Sequence, residues 1–197
     1  MVKEAFSHVC HWVFDLDNTL YHPSANLFGQ IEAKMTEYVM SALNVTEAEA
    51  DHLRGHYWRT HGTTLAGLMR EHGLDPVPYL HAVHDISMDH LEEDADLAAQ
   101  IRDLPGQKIV YTNGSAPYAA RVLEARGLDG LFAAFNQVFA KAGVAPAKAA
   151  MFEDDPRNLA APHAMGMRTV HVADGPHEAD HIQHHTSDLT GFLRSLA

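Results

Sequence analysis

The 197 residues are enough for one good core plus a modest insertion, and they carry 14 Lys plus Arg against 26 Asp plus Glu, a formal charge of −12. Nucleic acid demands a basic footprint, so this balance excludes it as an expected partner; a small anionic ligand remains open where a cation neutralises it locally. Cys10 is the single cysteine, Glu4 and His8 stand where a signal peptide needs its apolar stretch, and no apolar run approaches a membrane span, so we expect a soluble cytoplasmic protein without disulfides or a membrane partner.

The first apolar run, residues 9–14, leads straight into Asp15-Leu16-Asp17-Asn18-Thr19-Leu20. In a loop past a strand's carboxyl end, Asp15 and Asp17 can both turn toward one ligand in the crevice that open α/β sheets favour. Like charges held so close repel, and a hard cation such as Mg²⁺ offsets the repulsion. The same residues also suit a plain turn, because Asp, Asn and Thr bond their own backbone readily.

Between Tyr21 and Leu104 the pattern is helical throughout, with helices expected at about 24–43, 46–61, 63–72, 77–84 and 94–104. Leu27, Ile31, Met35, Tyr38 and Val39 form one apolar stripe in the first, and Thr46 with Glu49 makes a capping box for the second. This all-helical insertion of about 80 residues follows the first strand and would roof its carboxylates, exclude water and select substrates.

Three further apolar runs, at 108–111, 149–152 and 169–172, end in polar residues: Thr112-Asn113-Gly114, Glu153-Asp154-Asp155 and Ala173-Asp174-Gly175. Helices expected at 117–126 and 156–165 open with proline and close before Gly127 and Gly166. Strands alternating with helices imply βαβ units and a parallel sheet buried on both faces. Thr112 also suits a β-branched strand end, Asn113-Gly114 an ordinary turn, and Glu153 to Asp155 an acidic helix start with Asp155 as N-cap. The sixteen histidines, including His181, His184 and His185 in the tail, show no compelling metal spacing and are read as solvated surface.

Three acidic or hydroxyl-bearing strand ends in this order resemble the haloacid dehalogenase-like (HAD) superfamily of phosphohydrolases. The resemblance implies an α/β fold with a doubly wound parallel Rossmann-like core at 1–20 and 104–197 and an inserted all-helical cap at 21–103. Asp15 to Tyr21, the stretch 57–68 (Tyr57-Trp58-Arg59-Thr60-His61-Gly62-Thr63-Thr64-Leu65-Ala66-Gly67-Leu68) and Tyr111 to Gly114 look like the branch of pyrimidine 5'-nucleotidases. It implies Asp15 as nucleophile and Asp17 as general acid/base. Mg²⁺ would be held by the Asp15 side chain, the Asp17 carbonyl and Asp154, with Glu153 or Asp155 as a further ligand. Thr112, Asn113 and Gly114 would bind the phosphoryl group, and Tyr57, Arg59 and His61 are candidates for substrate selection, as is His22 after the nucleophile loop.

One family element is not found. The expected lysine ahead of the last acidic motif has no counterpart in residues 130–135, while Lys141 falls late in a helix expected at 134–142 and Lys148 in a loop. No strand is evident there either, so roughly 15 to 25 residues, a strand with two connections, look absent. The resemblance therefore implies a Mg²⁺-dependent phosphomonoesterase acting on a small phosphorylated metabolite, a nucleoside 5'-monophosphate of the UMP or CMP type. The alternatives are a phosphatase for phosphoglycolate or a sugar phosphate, and a catalytically impaired phosphate- or nucleotide-binding module.

Overall fold

The computed structural model describes residues 2–135 and 143–196. In chain order its strands are β1 (His11–Phe14), β2 (Gln107–Val110), β3 (Ala134–Phe135), β4 (Ala149–Glu153), β5 (Arg168–Val172) and β6 (His184–Thr186). Its α-helices are α1 (Val2–Phe6), α2 (Leu27–Leu43), α3 (Glu47–His61), α4 (Thr64–His72), α5 (Pro76–Val83), α6 (Ala95–Asp103), α7 (Ala116–Ala125), α8 (Ala160–Ala164) and α9 (Leu189–Arg194). Two compact units result: Met1–Ala25 with Leu91–Ala197, which holds the sheet, and Asn26–His90, which is helical. Residues 21–25 and 91–103 thus group with the sheet rather than with the insertion expected over 21–103.

The sheet runs β3-β2-β1-β4-β5-β6, and every described pairing is parallel. Its central strands read as continuous apolar runs because both faces are covered: Trp12, Val13, Phe14, Ile109, Val110 and all of β4 are buried. The rings of Phe14 and Phe152 stack with centroids 4.7 Å apart across β1 and β4. Phe14 pairs with both Val110 and Phe152. The register therefore brings Asp15, Tyr111 and Glu153 level, one residue past that rung.

Two expectations are corrected. Residues 134 and 135 are not helical but form β3, pairing with Ile109 and Val110, so the sheet gains its edge neighbour from two residues instead of an absent segment. The route there is short because α7 ends in a Schellman turn: Gly127 takes φ 67, and Leu128 and Gly127 donate to the Leu123 and Glu124 carbonyls. Lys141 and the rest of the expected helix fall outside the described residues. The helix expected at 156–165 is a 3-10 turn, Pro156–Leu159, followed by α8. Pro162 has no N–H and would clash with the Asn158 carbonyl in one continuous helix, so the helix restarts where proline sits in a first turn. β6 was not expected at all.

In the helical unit, Thr46 and Glu49 form the anticipated capping box. Leu27, Ile31 and Val39 are buried on α2, while Met35 and Tyr38 are only partly so. Gly67 sets the approach of α4 to α3: a Cβ there would lie 2.2 Å from the Tyr57 ring. No described helix is long and apolar enough to cross a membrane.

Candidate active site

Three strand ends supply the site. Asp15 follows β1, where its N–H donates to the Phe152 carbonyl at 2.9 Å; Glu153 closes β4 and Asp154 follows it. One carboxylate oxygen from each of Asp15, Glu153 and Asp154 lies within 4.8 Å of the others. Burial, then the carboxylates of Glu153, Asp17 and Asp154, push Asp15 well above the ordinary carboxylate range, against one hydrogen bond from the Leu16 N–H. Burial likewise pushes Glu153 up to about 8, although its Oε1 accepts from the Asp155 N–H at 3.2 Å and from Asn158 at 3.0 Å. Three crowded carboxylates need a proton or a cation between them.

Asp17 faces differently. Its Oδ1 accepts two hydroxyl hydrogen bonds, from Tyr21 at 2.7 Å and from Tyr118 at 2.5 Å. Burial raises its pKa, and these two bonds oppose the rise. Tyr118 lies in α7, whose start is capped by Ser115. Gly114 is required beside it, because a Cβ would lie 2.8 Å from the Tyr118 ring. The buried Thr112 hydroxyl accepts from the Gly114 N–H at 2.9 Å. Asn18, in the left-handed region at φ 60, donates to Asp154 at 3.4 Å.

Other expected residues are placed elsewhere. Asp155 caps the 3-10 turn and is gripped by Arg157, whose Nε donates at 2.9 Å, and that bond holds its carboxyl below the usual range; of the two acidic neighbours of Asp154, Glu153 joins the group. Tyr57 is fully buried with its hydroxyl 2.6 Å from His72, so it packs the helical unit. His61 meets Glu71 at 2.7 Å, Arg59 is exposed, and His22 lies 3.2 Å from Asp174. Sequence reasoning missed Tyr118, whose contact with Asp17 depends on tertiary approach, and Asn158, which reaches back five residues to Glu153 through the 3-10 turn. Tyr21 carried a signal, since it stands one helical turn after Asp17, yet its partner could not be read.

No family model matches the chain. Solved structures do. CbbY from Rhodobacter sphaeroides, in complex with phosphate, is 17% identical, with TM-score 0.60 over 92% of this chain and 95% of that one. The haloacid dehalogenase-like family protein SP0104 from Streptococcus pneumoniae is 14% identical, with TM-score 0.60 over 97% and 100%. The chain shares the fold of these two proteins. The HAD-hydrolase YfnB from Bacillus subtilis, bound to magnesium, shares that fold at 15% identity, with TM-score 0.59 over 95% of this chain and 98% of that one. Among curated proteins, Phosphate metabolism protein 8 of Saccharomyces cerevisiae is 26% identical over 129 residues, 60% of this chain and 40% of the relative, so the chain matches less than half of that protein's length.

Proposed function

We propose that the chain is a magnesium-dependent phosphomonoesterase using Asp15 as nucleophile, with nucleoside 5'-monophosphates of the UMP and CMP type as substrates. The convergence of Asp15, Glu153 and Asp154 on oxygens within 4.8 Å carries this reading. An all-oxygen set of crowded carboxylates fits a hard cation of the Mg²⁺ kind. Bound there, Mg²⁺ would neutralise the carboxylates and draw charge from a phosphoryl oxygen.

The chain's own groups supply the rest. An Asp15 oxygen attacks phosphorus, the ester P–O bond breaks, and Asp17 gives its proton to the departing alkoxide. With Oδ1 held by two tyrosine hydroxyls, the proton moves at Oδ2. Asp17 then takes a proton from water as the water oxygen attacks phosphorus, which breaks the aspartyl–phosphorus bond and restores Asp15. The Thr112 hydroxyl and the Asn113 main-chain N–H donate to the phosphoryl oxygens, while the Gly114 N–H, bonded to the Thr112 hydroxyl, orients that group toward them. The nucleotide preference rests on the likeness of residues 15–21, 57–68 and 111–114 to pyrimidine 5'-nucleotidases, and the name of the yeast relative is in keeping with phosphate chemistry.

One observation favours a second reading, a phosphate- or nucleotide-binding module with impaired catalysis. Among the described lysines of the sheet unit, Lys3 lies in α1, Lys108 is the second residue of β2 and Lys148 precedes β4; none follows a strand's carboxyl end. Phosphate release from UMP, CMP, an aryl phosphate, phosphoglycolate and a sugar phosphate, with Mg²⁺ or chelator, separates the two. Mg²⁺-dependent turnover of UMP and CMP that disappears in Asp15→Asn is the expected result. Turnover no higher than the mutant's, in folded protein with Mg²⁺ bound, would establish the binding module; strong preference for phosphoglycolate or the sugar phosphate would end the nucleotide assignment.

A further inference from the structure

Beside Glu153, the sheet's carboxyl edge continues with imidazoles on β5 and β6. His171 and His185 are register partners in β5 and β6, and their ring centroids are 5.4 Å apart. His171 is 3% exposed, and its Nε2 lies 2.9 Å from the Asp154 carbonyl oxygen. A carbonyl can only accept, so Nε2 carries the hydrogen and Nδ1 keeps a bare lone pair. That Nδ1 and the Nε2 of His185 are both buried without a hydrogen-bond partner among the described residues. An unmatched buried polar atom is costly, so two of them on paired strands call for an occupant.

The geometry suits an ion. Two imidazoles bound tetrahedrally at ordinary metal–nitrogen distances have ring centroids about 5 Å apart. Donation of the other ring N–H to a backbone carbonyl is how ligating histidines are commonly oriented. A third imidazole, His177, has its centroid 6.3 Å from His171 and sits exposed in the loop after β5; the three rings do not already stand at ligand distance of one another, so a bound ion would have to draw His177 in. His177 and His185, with the carboxylates Glu178 and Asp180, line an open surface depression of about 490 Å³, which His171 does not line. We infer that His171 Nδ1 and His185 Nε2, completed by His177, form a site for a borderline divalent transition ion of the Zn²⁺ or Co²⁺ class. Nitrogen donors separate it in kind from the all-oxygen group at Asp15. The competing occupant is a buried water donating to both nitrogens.

The test is Co²⁺ titration of the full chain saturated with Mg²⁺, followed by visible absorption and equilibrium dialysis. The expected result is about one equivalent of Co²⁺ with the bands of a nitrogen-ligated ion. Affinity should fall by about tenfold or more in His185→Gln, fall also in His177→Gln, and stay unchanged in His8→Gln, a substitution of an exposed histidine. Circular dichroism and the thermal midpoint check that His185→Gln is folded; if it is not, His177→Gln decides, since its side chain is exposed. Absence of binding above the Mg²⁺-saturated baseline would leave the water in place and overturn the inference. Binding equal in wild type and His177→Gln, and undiminished in any folded His185→Gln, would mark adventitious capture by surface histidines and overturn it too.

Discussion

In the sheet unit, Asp15, Glu153 and Asp154 crowd like charges at a strand edge, whereas the helical unit pairs opposite ones. There Arg54 joins Glu32 at 3.3 Å and Asp51 at 3.2 Å, and donates to Thr36 at 2.7 Å. His61 meets Glu71 in the same unit. Both units bury polar groups, so burial alone does not mark function. What distinguishes the sheet edge is that its charges oppose one another, an arrangement that persists only where the surrounding fold over-determines it and a ligand can relieve it. In the helical unit Arg54, Glu32, Asp51, His61 and Glu71 are instead matched with opposite charges from their own unit.

The sharpest way to break this contrast is Asp15→Asn. Removing the nucleophile should lower phosphate release by about four orders of magnitude or more. In chelator, however, the thermal midpoint should not fall and should rise, because one charge leaves a cluster in which Glu153, Asp17 and Asp154 all disfavour it. Mg²⁺ should then stabilise wild type more than the mutant, by an amount growing with concentration over Kd, ~2.7 kcal/mol at a hundredfold excess for a cation that binds only the folded form. A mutant as destabilised as an ordinary core substitution would mean that the crowding is not strained.

Gly67→Ala makes the opposite demand on the helical unit. The new Cβ would sit 2.2 Å from the Tyr57 ring, and Tyr57 is fully buried, so overpacking should cost ~1–3 kcal/mol in denaturant unfolding. An unchanged midpoint would show that α3 and α4 can separate freely. Next comes Tyr118→Phe, which leaves Asp17 with one of its two hydroxyl partners. Losing a hydrogen bond to a charged group is worth ~1.5 kcal/mol, or about tenfold in kcat. The loss should be greater for alkyl than for aryl phosphates, whose leaving groups need less protonation. Equal losses on both would assign Tyr118 to packing rather than to positioning Asp17.

Much of this contrast was legible in the residues. The stretches 12–14, 109–110 and 149–152 are apolar throughout because both faces of the sheet are covered there, so the ends of β1, β2 and β4, and the carboxylates beside them, could be located by pattern alone. The Thr46–Glu49 box is local chemistry and was equally visible. β3 and β6 escaped because strands of two and three residues are too short for a period and owe their pairing to the neighbouring strand. The choice of Glu153 over Asp155 was open because it depends on Arg157 reaching back two residues. His171 looked like one more surface histidine; only the fold puts its Nε2 on the Asp154 carbonyl.

The smallest expected effect lies in the paired charges of the helical unit. The hydrogen bond from His61 leads the causes that hold the Glu71 carboxyl below its ordinary 4.5, against an opposing desolvation. A carboxylate whose folded pKa is depressed adds stability that is complete above the unfolded value and is lost as pH falls through the folded one. The thermal midpoint of wild type should therefore exceed that of Glu71→Gln at pH values above about 4.5, and the gap should close as the solution is acidified below it. Because Glu71 is solvent-exposed, salt should shrink the same gap at neutral pH. A gap that survives acidification would mean that Glu71 acts through packing of its stem, and the pairing of opposite charges would then not be what separates this unit from the sheet edge.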